Sequence, residues 1–305
     1  MGLDGGSAEV PEPGTCQPSV YGPQNEFAAS NTPGGRTGSA SWTDANGRLW
    51  LFGGEGCGPS GSNEMNDLWV FDPSKGAHGE WAWMAGSNTF NASGVYGTGA
   101  LFAASNVPGA RSAALSWTDQ FGRLWLFGGV GIDASGNTGS LNDLWLFESY
   151  QGANGEWSWM GGSTTADASG TYGTEYQFAN RFTVFSFPGS RSGAVGWTDQ
   201  NGRPWLFGGM GYDASGNYGV LNDLWTYDQS LYPVGEWAWM GGSTTANVSG
   251  AYGTDYQFAP SNAAGARAGG VGWTDSNGRF WLFGGNGLDT SGNQGDLNDL
   301  WVYQP

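Results

Sequence analysis

One stretch of sequence decides the fold, and its fullest copy runs from Arg191 to Met240 as RSGAVGWTDQNGRPWLFGGMGYDASGNYGVLNDLWTYDQSLYPVGEWAWM. Matching copies begin at Arg36, Arg111 and Arg267, so successive copies are 75, 80 and 76 residues apart (111 − 36, 191 − 111 and 267 − 191). The 18 tryptophans keep this register, with five in each of the first three copies and three in the last. Such a fixed period is typical of a repeat architecture, in which each copy forms one supersecondary unit.

Each copy divides into four short candidate β-strands. A small apolar segment ends at the triplet WTD, and a turn rich in Asn and Gly joins it to the second segment, RxWLFGG, as in a hairpin. After a longer loop come NDLWxY/F and then GEWxWM, where tryptophan alternates with small residues in the period of a strand. No long apolar stripe with the helical period of 3.6 accompanies them. The sequence therefore predicts an all-β protein.

These segments resemble the repeats of the kelch family. The shared features are the Arg with its small-residue strand, the strand that ends in Gly-Gly, the Trp/Tyr-bearing strand and the closing Trp, over residues 34–305. Kelch repeats are usually about 50 residues long. The copies here are longer because of extra sequence between WxWM and the next Arg. The resemblance implies a kelch-like β-propeller with four blades of four antiparallel strands.

The repeats follow one another without a linker, so we expect a single domain at 34–305, preceded by a tail and closing segment at 1–33. Its blades are expected at about 34–84, 109–160, 189–240 and 265–305. The last copy stops before GEWxWM, which leaves the outer edge of its blade to be covered, because an exposed strand edge invites pairing. We expect residues 1–18, which include the segment SAEV at 7–10, to supply an edge strand. The alternative is a strand from a neighbouring subunit.

The chain is acidic, with a net charge of −17 from 27 acidic and 10 basic side chains. Many acidic residues fall at repeat positions, in WTD, NDLW and GEW, so the negative charge is spread around the molecule. Nucleic acid is excluded as a partner because no basic stripe is present. Anionic membrane surfaces are disfavoured for the same reason. The sequence contains no apolar run of about 18 residues, so it predicts no membrane-spanning segment.

The two cysteines, Cys16 and Cys57, lie in the unique tail and in a loop of the first copy. A disulfide between them would fasten the tail to the first repeat, and it would indicate an oxidising, extracellular or cell-surface location for a secreted protein. The alternative is two unrelated buried thiols.

Strand alternation places the two long connections, GxGxDxSGNxGxLND and the segment after WxWM, on one face of the molecule. Long loops on a rigid scaffold are common binding elements. Tyrosines recur there at positions 21, 96, 172 and 252, either as a platform for a ligand such as a sugar or as plugs that hold each loop, and we favour plugs. Positions that differ between copies are stronger candidates for binding. These include the copy-specific Tyr212 and Tyr218 and an insertion that carries the segment RFTVFSF after Asn180. The candidate ligand- or partner-binding residues are Tyr212, Tyr218, Phe182, Phe185, Phe187, Tyr172 and Tyr252. For the three phenylalanines, burial within the loop is the alternative.

Two further motifs lie on these loops. The sequence DxSGN at Asp133, Asp213 and Asp289 resembles part of a calcium loop, but it lacks the bidentate Glu and is also good turn chemistry, which we favour. No other cofactor is expected. Asn91 and Asn247 begin N-x-Ser acceptors for glycosylation.

Catalytic groups are scarce, and we expect no enzymatic activity. The chain has one histidine, His78, so a nucleophile would lack its usual base and a His-based metal site is excluded. Some kelch relatives are copper radical oxidases, whose two His ligands this chain does not contain. Paired carboxylates for glycoside hydrolysis are the remaining catalytic option. The leading hypothesis is a non-catalytic extracellular protein that binds protein or carbohydrate through its long-loop face. The alternative is a structural subunit of a surface assembly or filament that self-assembles through its terminal blade.

Overall fold

The computed structural model describes residues 16–57, 63–178, 185–231 and 234–305. In these ranges the chain forms antiparallel β-sheets joined by turns and loops, without helix. None of these residues therefore belongs to a helix able to cross a membrane. The expected all-β class is confirmed. The expected edge strand at 7–10 and the candidate Phe182 lie outside the described residues.

Each sequence copy forms one structural unit, numbered here one to four in chain order. Unit one contains β1 (Arg36–Thr37), β2 (Ala40–Thr43), β3 (Leu49–Gly56), β4 (Glu64–Asp72) and β5 (Glu80–Ala85). Unit two contains β6 (Arg111–Ser112), β7 (Leu115–Thr118), β8 (Leu124–Ile132), β9 (Thr138–Glu148) and β10 (Glu156–Gly161). Unit three contains β11 (Arg191–Ser192), β12 (Val195–Thr198), β13 (Pro204–Tyr212), β14 (Tyr218–Asp228) and β15 (Glu236–Gly241). Unit four contains β16 (Arg267–Ala268), β17 (Val271–Thr274), β18 (Phe280–Phe283), β19 (Asn286–Leu288), β20 (Gln294–Asp296) and β21 (Leu300–Tyr303).

The first predicted strand of each copy is interrupted. In unit three, β11 and β12 both pair with β13, and Gly193 between them has a φ of +63°. The sheet order is then β11-β13-β14-β15, with β12 beside the other half of β13. Units one and two have the same order. Each therefore has the four predicted strand positions, one of them split in two by a residue in the left-handed region.

The Gly-Gly pair marks an irregularity in the second strand. Gly208 and Gly209 have φ values of +63° and +102°, and the register of β13 against β14 shifts between Phe207 and Gly209. A Cβ on Gly208 would lie 2.6 Å from the carbonyl oxygen of Arg267 in the next unit. Glycine is needed there both for its conformation and for this close approach of two backbones.

Unit four departs from the prediction of four strands per blade. Its strands form two three-stranded sheets, β16-β19-β20 and β17-β18-β21, and β21 has no outer neighbour among the described residues. The reason is that the other units fill that place with the GEWxWM strand, which the fourth copy lacks. As a result Phe258 is exposed, whereas Phe27 and Phe102 pack against hydrophobic clusters.

The hydrophobic core lies between units. Trp42, Trp50 and Phe52 of unit one pack against Phe147 and Trp157 of unit two. Corresponding residues join unit two to unit three and unit three to unit four. Because each unit is a thin sheet, it buries its apolar faces only against its neighbours, which is the energetic logic of a repeat protein.

A buried ion pair joins the first arginine of each copy to the aspartate of its NDLW motif. In unit three the Arg191 guanidinium donates to both oxygens of Asp223 at 2.6 and 2.8 Å, and also to the carbonyl of Gly208. Asp223 accepts a further bond of 2.7 Å from the Trp225 indole. The same pairing recurs at Arg36–Asp67, Arg111–Asp143 and Arg267–Asp299. Each NDLW aspartate therefore pairs with the arginine that begins its copy.

The expected disulfide between Cys16 and Cys57 is present, with 5.4 Å between the two Cα atoms. It fastens the segment before the first repeat to the end of β3. We expect peptide mapping of the non-reduced protein to give one linked peptide pair containing both cysteines, which separates after reduction. Alkylation of two free thiols in the native protein would contradict this bond.

Candidate functional site

The two long connections of each unit lie side by side. In unit three the Ala214 amide donates to the carbonyl of Thr244 at 3.1 Å, and the Ala246 amide donates to the Asp213 carboxylate at 3.0 Å. Unit two makes the same two bonds with Ala134, Thr164, Asp133 and Ala166. The short turns lie together elsewhere, since the Asn46 amide group is 3.4 Å from the Tyr150 hydroxyl. Long and short connections are therefore separated, as strand alternation predicts.

The recurring tyrosines are structural. Tyr172 donates its hydroxyl to Asp223 at 2.6 Å, and its ring centre lies 4.9 Å from Trp225 and 5.6 Å from Trp239. Burial and the Asp223 charge raise the pKa of Tyr172, so its hydroxyl stays a donor. Tyr21 and Tyr96 make the equivalent bonds to Asp67 and Asp143. The plug interpretation fits these contacts, and Tyr172 offers little surface to a ligand.

Tyr252 occupies the same position in unit four with a more open environment. It donates to Asp299 and its ring lies 4.8 Å from Trp301. No tryptophan of a fourth strand covers its other side, and the residue is 45% exposed. Its exposure therefore results from the shorter fourth copy and is not a feature built into the loop.

Tyr212 and Tyr218 form an aromatic pair at the tip of a hairpin. They are cross-strand partners on β13 and β14, with ring centres 5.2 Å apart. Tyr218 is 54% exposed. Partial burial and the Asp167 carboxylate raise the pKa of Tyr212. The structure thus brings these two candidates together on the long-loop face, beside a negative charge.

The insertion between the second and third copies places its phenylalanines in different environments. Phe185 is 73% exposed. Phe187 packs on the core between units two and three, with its ring 6.3 Å from Phe127 and 6.2 Å from Trp237. Sequence alone left both environments open, because only the fold brings Trp237 to the place where Phe187 is buried. Phe185 stays a surface candidate in the long connection that precedes unit three.

The candidate calcium positions are turn residues. The Asp213 carboxylate accepts backbone N–H groups from Ser215, Asn217 and Ala246, as well as the Asn217 side-chain amide. Burial acts to raise the pKa of Asp213, but these donors outweigh it and lower the pKa. Asp133 and Asp289 have matching turn bonds. Within the described ranges no three His, Cys, Asp or Glu side chains are grouped as a metal site would require.

Both glycosylation acceptors have a structural role in the loop. Asn247 has a φ of +61°, and its side-chain carbonyl accepts the Val220 amide at 3.1 Å. Asn91 makes the same bond with Glu64. Asp167 replaces them in unit two and accepts the Ser140 amide. Asparagine and aspartate are the residues that tolerate this conformation best, which explains the motif without a glycan.

A cavity of about 410 Å³ lies between the innermost strands of units two to four. Its walls include the indoles of Trp117, Trp197, Trp205 and Trp273 and the hydroxyls of Ser116, Thr198 and Thr274. Its lining has no ionisable side chain. Sequence reasoning did not select this space, although the recurring tryptophan of the WTD triplet was its signal. The recurring WTD aspartates lie elsewhere, each bound to an arginine and an indole, as Asp199 is to Arg203 and Trp205.

Comparisons with known proteins give a likeness of fold alone. No protein-family pattern matches this chain, and no curated protein matches its sequence. Among solved structures, one titled "Structure of YjhT" is similar over 90% of this chain and 86% of that chain. The two are 14% identical in sequence, with a TM-score of 0.41. This likeness says nothing about a ligand or a reaction.

Proposed function

We propose that this chain is a kelch-like β-propeller module of four blades that acts outside the cell as a non-catalytic binding protein. It recognises protein or glycan through the long-loop face. The observation that carries the proposal is the fixed geometry of that face, which presents Tyr212, Tyr218 and Phe185 on a hydrogen-bonded scaffold. Rigid aromatic side chains give much contact area at small entropic cost.

Two other features support an extracellular role. The Cys16–Cys57 disulfide indicates an oxidising environment, which outside the cell is the usual one. The recurring carboxylates in NDLW and WTD are occupied by arginine and indole partners, so they are poor candidates for acid–base chemistry. The disulfide favours an extracellular location, and the occupied carboxylates favour a binding protein over an enzyme.

We expect the triple change of Tyr212, Tyr218 and Phe185 to alanine to weaken binding at least about tenfold, since aromatic anchors commonly dominate interfaces. The melting temperature should change little because these side chains lie at the surface. Labelled protein is applied to a glycan array, and the glycan bound best is titrated against both forms in solution.

The matched control is the double change of Phe121 and Tyr150 to alanine. These aromatic side chains are also exposed, but they lie on the short turns. An equal loss of binding in the control would contradict our assignment of the binding site to the long-loop face.

A second candidate function is a structural subunit of a surface assembly. The observation that favours it is the exposure of Val271, Phe283 and Leu300, apolar residues on one side of unit four. Sedimentation at increasing concentration tests this second candidate, because an assembly subunit associates as its concentration rises.

A further inference from the structure

The units pack by one repeated contact between two kinds of face. The forward face of a unit comprises residues matching Val195, Trp197, Phe207 and Leu224 of unit three. The backward face comprises residues matching Phe280, Leu282, Trp301 and Tyr303 of unit four. The forward face of unit three packs against the backward face of unit four. The forward face of unit one meets the backward face of unit two in the same way, and unit two meets unit three likewise. The contact therefore occurs three times in one chain.

Polar bonds accompany each contact. The Trp42 indole donates to the carbonyl of Trp125 at 3.1 Å, and the Trp197 indole donates to that of Trp281 at 2.9 Å. A belt of backbone bonds also crosses the units, from the Ala113 amide to the Gly38 carbonyl, from Gly193 to Ala113 and from Gly269 to Gly193. The belt ends at the Gly38 amide and the Gly269 carbonyl. A Gly38 amide from another copy could donate to this Gly269 carbonyl and add one more bond of the same kind.

The forward face of unit four is uncovered. Val271 is 61% exposed, Trp273 44% and Leu300 54%, whereas their counterparts in unit one, Ala40, Trp42 and Leu68, are at most 5% exposed. Backbone spacing agrees with this. A Cβ on Gly208 would meet the Arg267 carbonyl of the next unit, but a Cβ on Gly284 would meet only Leu297 of its own unit.

The backward face of unit one is only partly covered by the described residues, although its Trp69 is buried. Leu49 is 46% exposed, whereas its counterpart Leu124 is buried. Leu51 and Phe71 are half-buried, and their counterparts Leu126 and Phe147 are buried. Within the described residues, one forward face is therefore open and one backward face is partly open, and contiguous apolar surface of this kind marks an interaction site.

We propose that the forward face of unit four binds the backward face of unit one from a second copy of this chain. The second copy offers the apolar residues that cover a forward face three times within the chain and a Gly38 amide for the Gly269 carbonyl. It also offers a Trp50 carbonyl for the Trp273 indole, a bond that accompanies two of the three contacts within the chain, since the Trp117 indole has no hydrogen-bond partner among the described residues. The contact is head-to-tail, and two chains form the smallest ring in which all four faces are covered. This inference deepens the second candidate function and is independent of ligand binding on the loop face.

The first test measures the mass of this 305-residue chain by sedimentation velocity, at about 0.3 M salt to screen the net charge of −17 on each copy. We expect twice the mass of one chain, with dissociation on dilution.

Val271→Asp alters only the forward face and Leu49→Asp only the backward face. Each should raise the dissociation constant at least about 100-fold, because a charge would enter an apolar interface. Both side chains are exposed in the single chain, so the melting temperature of the diluted monomer should stay unchanged.

Mixing the two variants gives a sharper result. A head-to-tail pair retains one interface with two unaltered faces, so the mixture should form a dimer although each variant alone is monomeric. A monomeric wild type at all concentrations would overturn the proposal. It would also be overturned if Val271→Asp abolished association while Leu49→Asp left it intact, since that pattern means symmetric contact through unit four.

Cysteine pairs distinguish a second copy from closure of the chain on itself. Ser41 matches Gly196, whose added Cβ would touch Leu115 of the preceding unit, and Leu115 matches Val271. Oxidising a mixture of Ser41→Cys and Val271→Cys should therefore give a covalent dimer. If the double variant Ser41→Cys/Val271→Cys instead forms a bond within one chain, the proposal is wrong. Glycan binding by the separated monomers is measured independently. A failure of the dimer proposal can therefore be distinguished from a failure of the proposed binding function.

Discussion

Replacing Arg191 by methionine is expected to destabilise the protein by about 3 to 5 kcal/mol, the range seen when one partner of a buried ion pair is removed. The guanidinium and the Asp223 carboxylate are both almost fully buried. Methionine fills part of the space but leaves Asp223 with only the Tyr172 hydroxyl and the Trp225 indole as side-chain donors. Denaturant unfolding followed by tryptophan fluorescence measures the loss.

The control for this experiment is Arg203→Met. Arg203 also pairs with an aspartate, Asp199, at 2.8 Å, but about a third of its side chain is exposed. Pairs in contact with solvent contribute about 0 to 1 kcal/mol. If the two variants lost equal stability, burial of the Arg191–Asp223 pair would not be the reason for its effect.

Replacing Glu64 by glutamine is expected to stabilise the protein above neutral pH. Glu64 is buried, its Oε1 accepts the Ser112 hydroxyl at 3.1 Å, and its Oε2 has no hydrogen-bond partner in the described structure. Burial raises the pKa of Glu64 from 4.5 to about 7, with a smaller contribution from the Glu55 charge. The matching positions in units two and three are Ser140 and Val220, which carry no charge.

The sign follows from linkage. Because the folded state holds the proton more tightly than the unfolded state, the stabilising contribution is complete below about pH 4.5 and is lost as pH rises through about 7. A pKa difference of this size corresponds to roughly 3 kcal/mol. Glu64→Gln removes the ionisation, so its advantage over the wild type should be near zero at low pH and largest near pH 8.

Unfolding free energies at about pH 4.5, 6 and 8 test this expectation. Glu26→Gln serves as the control, because Glu26 is exposed and its replacement should not change with pH in this way. Parallel pH profiles for the wild type and Glu64→Gln would show that Glu64 ionises without cost in the folded protein.

The sequence by itself determined the features that depend on local pattern and period. The four copies, the strand positions within each copy and the separation of long from short connections follow from alternation and turn chemistry, which act over a few residues. Even the Cys16–Cys57 bond was accessible, because one cysteine stands in the tail and the other departs from the repeat. The split of the first strand was missed, since one residue in the left-handed region leaves no clear mark on an apolar segment.

Tertiary structure alone decided which aromatic residues are buried and which faces remain open. Tyr172 became a plug because the fold brings Asp223 to its hydroxyl from 51 residues away. Phe187 was buried by Trp237 while Phe185 stayed at the surface. Trp273 and Trp42 hold the same place in the repeat, yet only Trp42 has a following unit to cover it. Burial depends on what lies across a contact, and a repeated sequence does not encode how many neighbours each copy has.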